Sequence, residues 1–277
     1  MIKSIDFPKK EFATKEDLFK ALLANKDLLI KEKTSQIYKS CEKGSTLSVS
    51  QENMSKALET NKAFKMDSDF YYIAVNSSDI LDSHGDLHIK GNWDKTVKEQ
   101  QKKVFLVFDH QLKRSEIIAM KEDIEMMTAE VPFSLIGKNY EGKSYMLIYK
   151  IPKDKIVNDD ARNYLEKGYS LEGSVRMQYV KIELAIKSKD KEYEKEKVIY
   201  DKYIGNIANA KEFKSIDYFW AVTEAKNVAE SSLVMFGSNP ATGMIQEQKE
   251  EKEAVEDTST ENKEEPSKDT QIKRRRI

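Results

Sequence analysis

Cysteine is almost absent from this chain of 277 residues: Cys41 stands alone, so no internal disulfide can form. A fold without disulfides suits a reducing, intracellular compartment, and that is the expectation here. Long apolar runs are missing too. No stretch approaches the roughly 18–20 residues of a membrane-spanning helix, and the first residues, MIKSIDFPKKEF, lack the apolar centre of a secretory signal. Nor is there an excess of charge of one sign. With 47 Lys and Arg against 48 Asp and Glu the net charge is −1, which gives no global basic field to recruit nucleic acid. Neither a nucleic-acid nor a membrane partner is therefore expected. Histidine is scarce, with only His84, His88 and His110. Any chemistry that needs an imidazole must draw on these three.

What is present divides the chain into segments of different texture. Residues 14–39 read as a helix: Thr14 with Asp17 three later resembles a capping box, and Phe19, Leu22, Leu23 and Ile30 fall on one stripe. The turn-like KGSTLSVSQEN that follows sets off residues 1–65 as a helical N-terminal extension. From Phe70 to Phe236 the chain becomes a series of short segments rich in Val, Ile, Tyr and Phe: 70–76, 104–108, 126–133, 145–151, 174–184, 218–225 and 231–236. A helix interrupts them in NDDARNYLEKG, with Asn158 as N-cap, acids in its first turn and Gly168 as its stop. Many strands with few helices predict an α+β, mainly β domain over residues 66–245, a closed and mostly antiparallel β-barrel wrapped by a few helices. The charged run at 187–197 reads as a solvated loop or hairpin tip. Residues 246–277 are highly charged, carry few apolar residues and no aromatics, and end in KRRRI. Such a tail cannot bury enough surface to offset its ordering entropy and is expected to be disordered.

Four groups of residues could carry chemistry. His110 ends the apolar run VFLVF in VFLVFDHQ, a place for either a core histidine with satisfied nitrogens or a group that moves a proton. Alternation through GSVRMQYV puts Ser174, Arg176 and Gln178 on one face and Val175, Met177 and Tyr179 on the other, core-like face. Ser174 then stands exposed on a rigid element just after Gly173, either as a nucleophile or simply as a strand start; Ser170 is a rival in the preceding loop. Asp82, His84, Asp86 and His88 alternate, so an extended segment would show all four on one face as a metal site or as an ordinary solvated face. Glu230 precedes the short apolar strand of AESSLVMFGSNPATG, where a solvated edge glutamate is the plain alternative. Cys41, in KSCEKGS, is a further possible nucleophile.

The order of these segments resembles the prohead maturation proteases of tailed bacteriophages, a family related in fold to the herpesvirus assemblins. The match spans roughly residues 70–245: an Asp-x-x-Gly-Asp motif at Asp82, Gly85 and Asp86; a strand-end histidine at His110; a glycine-bounded helix leading to a strand-borne serine, Ser174; then Glu230 to Val234 and the turn Pro240-Ala241. The resemblance implies a serine endopeptidase with no cofactor and no metal, in which Ser174 is the nucleophile and His110 the general base. Glu230 is the best match for the group that orients the imidazole. The herpesvirus relatives use a second histidine after the serine; this chain has no histidine after His110, so a carboxylate must take that place. Asp109 is a poor choice because adjacent strand residues point to opposite faces. The family usually has a small residue two places after the serine. Arg176 departs from that: either the oxyanion site is reshaped or Ser174 is not the serine that matches the family's nucleophile. The substrates implied are major capsid protein, internal scaffold and the protease itself, cut by an oligomeric enzyme inside the prohead in the bacterial host cytoplasm. Two other readings stand beside it: a non-enzymatic capsid assembly or scaffold-like factor on the same fold, and a metal-dependent hydrolase built on Asp82, His84, Asp86 and His88.

Overall fold

The computed structural model describes residues 1–38 and 64–246. In chain order the elements are β1 (Ile2–Lys3), β2 (Glu11–Phe12), α1 (Lys15–Ala24), α2 (Lys26–Ser35), β3 (Phe70–Ser77), β4 (Asp86–His88), α3 (Asp94–Glu99) and β5 (Phe105–Phe108). They continue with β6 (Ile117–Ala119), β7 (Glu125–Pro132), β8 (Lys143–Pro152), α4 (Asp159–Glu166), β9 (Glu172–Ile186), α5 (Glu194–Tyr203), β10 (Tyr218–Val234) and β11 (Gly243–Met244).

These form a mixed α/β fold with open sheets, not the closed barrel the strand content suggests. Among the described residues, β1 pairs with β2; a four-stranded sheet runs β11-β3-β8-β7; and a five-stranded sheet runs β4-β10-β5-β6, with β9 also on β10. The reason lies in β10. One edge is antiparallel to β9 along its whole length. The other edge is shared by two short strands in succession, β4 beside Trp220–Val222 and β5 beside Glu230–Leu233, both parallel to β10. Strands of three or four residues cannot supply the tilt and stagger that closure requires.

The two larger sheets meet where their backbones nearly touch. A Cβ on Gly173 would lie 2.2 Å from the Ala74 carbonyl oxygen of β3, so only glycine fits the position before Ser174. On the same strand Val175, Met177 and Tyr179 enter the largest apolar cluster, as their alternation predicts.

The N-terminal residues are packed into that same cluster through Phe12, Leu18, Phe19, Leu22 and Leu29. Each such side chain contributes about 1.5–3 kcal/mol by burial. The capping box is present: Asp17 N–H donates to Thr14 Oγ1 at 3.1 Å and Thr14 N–H to Asp17 Oδ2 at 3.1 Å. The single helix expected over 14–39 is two helices, parted at Asn25, whose side chain bonds back to the Ala21 carbonyl. Asn158 caps α4 through Ala161 N–H at 3.0 Å, and Gly168 follows with φ +67°.

The charged run 187–197 is not a solvated loop. It leads into α5, which buries Glu196, Tyr200 and Tyr203, with Tyr193 buried at its start. Lys26 Nζ meets Glu196 at 2.6 Å. No helix among the described residues is long and apolar enough to cross a membrane. The expectations for Cys41 and for the tail from residue 247 onward lie outside the described residues.

Candidate active site

Three strands side by side, β5, β10 and β9, build one site. Ser174 on β9 is paired with Ser232 on β10, so their side chains share a face of the sheet. Glu230 is two residues before Ser232 and falls on that face as well. Between the pairs Asn227–Met177 and Ser231–Val175, β10 holds three residues where β9 holds only Arg176. Ala229, inside this bulge, has φ 71°. The bulge resets the alternation of β10 and aims Glu230.

His110 arrives from the other side. Phe108, the last residue of β5, is paired with Leu233. The chain then turns through two left-handed residues, Asp109 (φ 46°) and His110 (φ 54°). Asp and His tolerate this region better than most residues, yet each costs about 1–2 kcal/mol there. The turn is held by Asp109 N–H to the Leu233 carbonyl at 3.1 Å and by His110 N–H to Ser232 Oγ at 2.8 Å. It swings the imidazole across β10 toward β9.

The result is a continuous chain of contacts. His110 Nδ1 lies 3.0 Å and 3.1 Å from the two oxygens of Glu230, and His110 Nε2 lies 2.9 Å from Ser174 Oγ. With a carboxylate at Nδ1, that nitrogen carries the proton, and Nε2 accepts from the serine hydroxyl. The side chains of His110 and Glu230 are 4% and 0% exposed, so the pair is shielded from water. Residues drawn from widely separated parts of the chain, 110, 174 and 230, thus meet at one point.

Ser174 itself is only 5% exposed. The expectation of an exposed serine is not met: the buried imidazole of His110 is seated against the Ser174 hydroxyl. Ser170 is exposed in the preceding loop and Asp109 is exposed on the turn. Arg176 shares the face of Ser174, is half-buried, and has a buried Nε without a hydrogen-bond partner.

Sequence reasoning missed Ser232. Its hydroxyl accepts from His110 N–H and donates to Glu230 Oε2 at 3.3 Å, tying base and carboxylate together. The signal was there in ESSLV, where alternation puts residues 230 and 232 on one face. The Pro240-Ala241 turn is fastened to the end of β3: Ser77 Oγ donates to the Ala241 carbonyl, and Asn239 Nδ2 to the Ser77 carbonyl at 2.7 Å.

The four alternating residues 82–88 do not share a strand face. Asp82 lies before a turn with Gly85 at φ +73°, and its Oδ1 accepts from the backbone N–H of His84 at 2.8 Å and of Asp86 at 3.0 Å. Asp86 binds Lys33 Nζ at 2.7 Å and accepts from the Tyr179 hydroxyl at 2.9 Å. Burial works against the charge on Lys33, but Asp86 and Asp6 outweigh it and hold the ammonium above its usual value. His88 is wholly buried, and burial lowers it to about 4. Among the described residues, no group of three or more His, Cys, Asp or Glu is disposed to hold a metal ion.

Comparison of the chain with protein-family models, with curated proteins and with solved structures found no match.

Proposed function

We propose that the chain is a serine endopeptidase, with Ser174 as nucleophile, His110 as general base and Glu230 as the carboxylate that orients the imidazole. The run of short contacts from Glu230 through both ring nitrogens of His110 to Ser174 Oγ carries this reading. A serine hydroxyl is a weak nucleophile at neutral pH. Here Nε2 takes its proton as Oγ attacks a peptide carbonyl, and Glu230 stabilises the imidazolium that forms. The amine leaves with that proton, and water then releases the acyl group from Ser174. Positioned proton transfer of this kind contributes roughly 10²–10⁴ in rate.

The narrower assignment rests on the order and spacing of the motifs that resemble prohead maturation proteases. It makes the substrates capsid subunits, scaffold and the chain itself, cut by an oligomer inside the prohead in the bacterial host. One observation favours a second reading, a non-enzymatic assembly factor: Ser174 is 5% exposed, with Arg176 on its face.

The test is a mixture of synthetic peptides of varied sequence incubated with the purified chain, with new termini read by mass spectrometry. The endopeptidase reading expects internal cuts that vanish in Ser174→Ala. Equal termini from both proteins, with the wild type folded, would favour the assembly factor.

A further inference from the structure

One face of β9 carries Glu172, Ser174, Arg176 and Gln178 in alternation. Three of the four have their polar groups answered. Glu172 takes Lys138 Nζ at 2.9 Å and Gly237 N–H at 2.7 Å, Ser174 Oγ meets His110 Nε2 at 2.9 Å, and Gln178 Nε2 donates to the Thr34 carbonyl at 2.9 Å. Arg176 is the exception. Among the described residues it has neither an ion pair nor a hydrogen bond, and its Nε is buried without a partner. A desolvated donor on a charged group is costly when left unmet, and that cost is offset when an anion binds.

No residue of β10 is paired with Arg176, because the bulge passes from the Asn227–Met177 pair straight to Ser231–Val175. Just before the bulge, Lys226 is paired with Gln178 and so shares this face. It is exposed and likewise has no ion pair among the described residues. Two cations without counter-ions thus lie beyond Ser174 in the direction of β9. On the near side of Ser174 the charge is balanced, Glu172 by Lys138. Arg176 is two residues from Ser174, about 7 Å along the strand, which is also the spacing of side chains two apart on an extended peptide.

We propose that Arg176, assisted by Lys226, determines the specificity of this site: it binds the carboxylate of an Asp or Glu side chain on the polypeptide substrate, one or two residues from the bond that Ser174 attacks. The inference rests on the endopeptidase reading and names the substrate class of that site. A carboxylate is the anion that polypeptide side chains offer, and a planar guanidinium takes it by two parallel hydrogen bonds. Lys226 adds a solvated point charge, a smaller contribution. The same contact discriminates. Gln or Asn in that place is nearly the same shape but leaves the guanidinium charge uncompensated. The proton path from Ser174 Oγ to His110 Nε2 is the same for either substrate, so the choice is made by the ion pair.

The test starts from the synthetic peptide mixture and the full chain. Wild-type cut sites should carry Asp or Glu within two residues of the bond. One such peptide and its counterpart with Gln or Asn in that place are then compared by kcat/KM. Their ratio does not depend on the folded fraction, so a destabilised variant still reports. The proposal expects a ratio of at least about tenfold in the wild type, close to one in Arg176→Gln and below one in Arg176→Glu. Lys226→Gln should lower it by about two- to fivefold. Cut sites without a nearby acid, a ratio near one in the wild type, or a ratio unchanged in Arg176→Gln would overturn the proposal; the last is what a role of Arg176 at the oxyanion, common to all substrates, would give. A wild type whose Ser174 takes a fluorophosphonate probe but which cuts no peptide of the mixture would overturn it as well. A Ser174 that takes no probe would remove the endopeptidase reading itself, and this proposal with it.

Discussion

Two short strands run parallel to β10, one beside each half of it, and each leads to a buried histidine. β4 ends at His88 and β5 is followed by His110. His110 has a partner on each ring nitrogen, a carboxylate on one and a hydroxyl on the other. His88 is a core residue. Its ring lies parallel to Trp93 (8°, 6.1 Å) and edge-on to Tyr179. Asn92 Nδ2 donates to its Nδ1 at 2.9 Å, which leaves the proton on Nε2. That nitrogen has no hydrogen-bond partner and lies 4.0 Å from Asp82 Oδ2. The two histidines are thus opposite tautomers in similar places. Burial is common to both histidines; what sets His110 apart is the carboxylate on one ring nitrogen and the hydroxyl on the other.

The comparison is broken most severely at Glu230. Glu230→Gln replaces the acceptor at His110 Nδ1 and favours the tautomer that His88 has. We expect labelling of Ser174 by a fluorophosphonate to slow by about 10⁴-fold, with the protein still folded by circular dichroism. A loss under tenfold would mean that the carboxylate does not set the tautomer.

Next in size is the other cluster. Lys33→Met leaves Asp86 buried without its cation, which we expect to cost about 3–5 kcal/mol in urea unfolding. The Ser174 labelling rate of the folded fraction should stay within about twofold of wild type, because an intact fold keeps the β5–β10–β9 contacts. A large change in that rate would tie the two clusters together.

The pH dependence sharpens the contrast further. His88 stays neutral in the folded chain down to about 4, while an unfolded histidine titrates near 6.5. Between these values the unfolded chain takes up a proton that the folded chain refuses. Stability from this group is therefore full above pH 6.5 and lost as the pH falls toward 4, by as much as about 3 kcal/mol. Unfolding curves across that window should show a smaller slope in His88→Gln, and an unchanged slope would contradict the assignment. The smallest effect is at Ser232. Ser232→Ala removes one acceptor from the turn and one donor from Glu230, about 1 kcal/mol and so roughly a fivefold slower labelling rate.

Local patterns in the sequence pointed to the three side chains that meet at the candidate site. The parity of β9 separates Ser174 from the core residues Val175 and Met177, and the run VFLVF marks His110 as a strand-end residue. Long-range pairing was less legible. The segments 218–225 and 231–236 look like two strands because Lys226, Asn227 and Glu230 lie between them, yet residues 218–234 form one strand, bulged around the left-handed Ala229. That continuity lets β10 take β4 and β5 in turn, and it makes the sheet open where strand content alone suggests a barrel. The helix α5 hid inside a run of charges because its apolar side is made of tyrosines, whose rings bury while their hydroxyls find partners: Tyr193 reaches Glu16 Oε1 at 2.8 Å and Tyr200 the Ile216 carbonyl at 2.7 Å.

The most direct measurement is the site and rate of fluorophosphonate modification. Purified chain treated with the probe should carry one adduct, found by tandem mass spectrometry on Ser174, and His110→Ala should abolish it while the fold is kept. An unmodified Ser174 in folded wild-type protein, or equal modification in His110→Ala, would contradict the claim that this imidazole activates this hydroxyl.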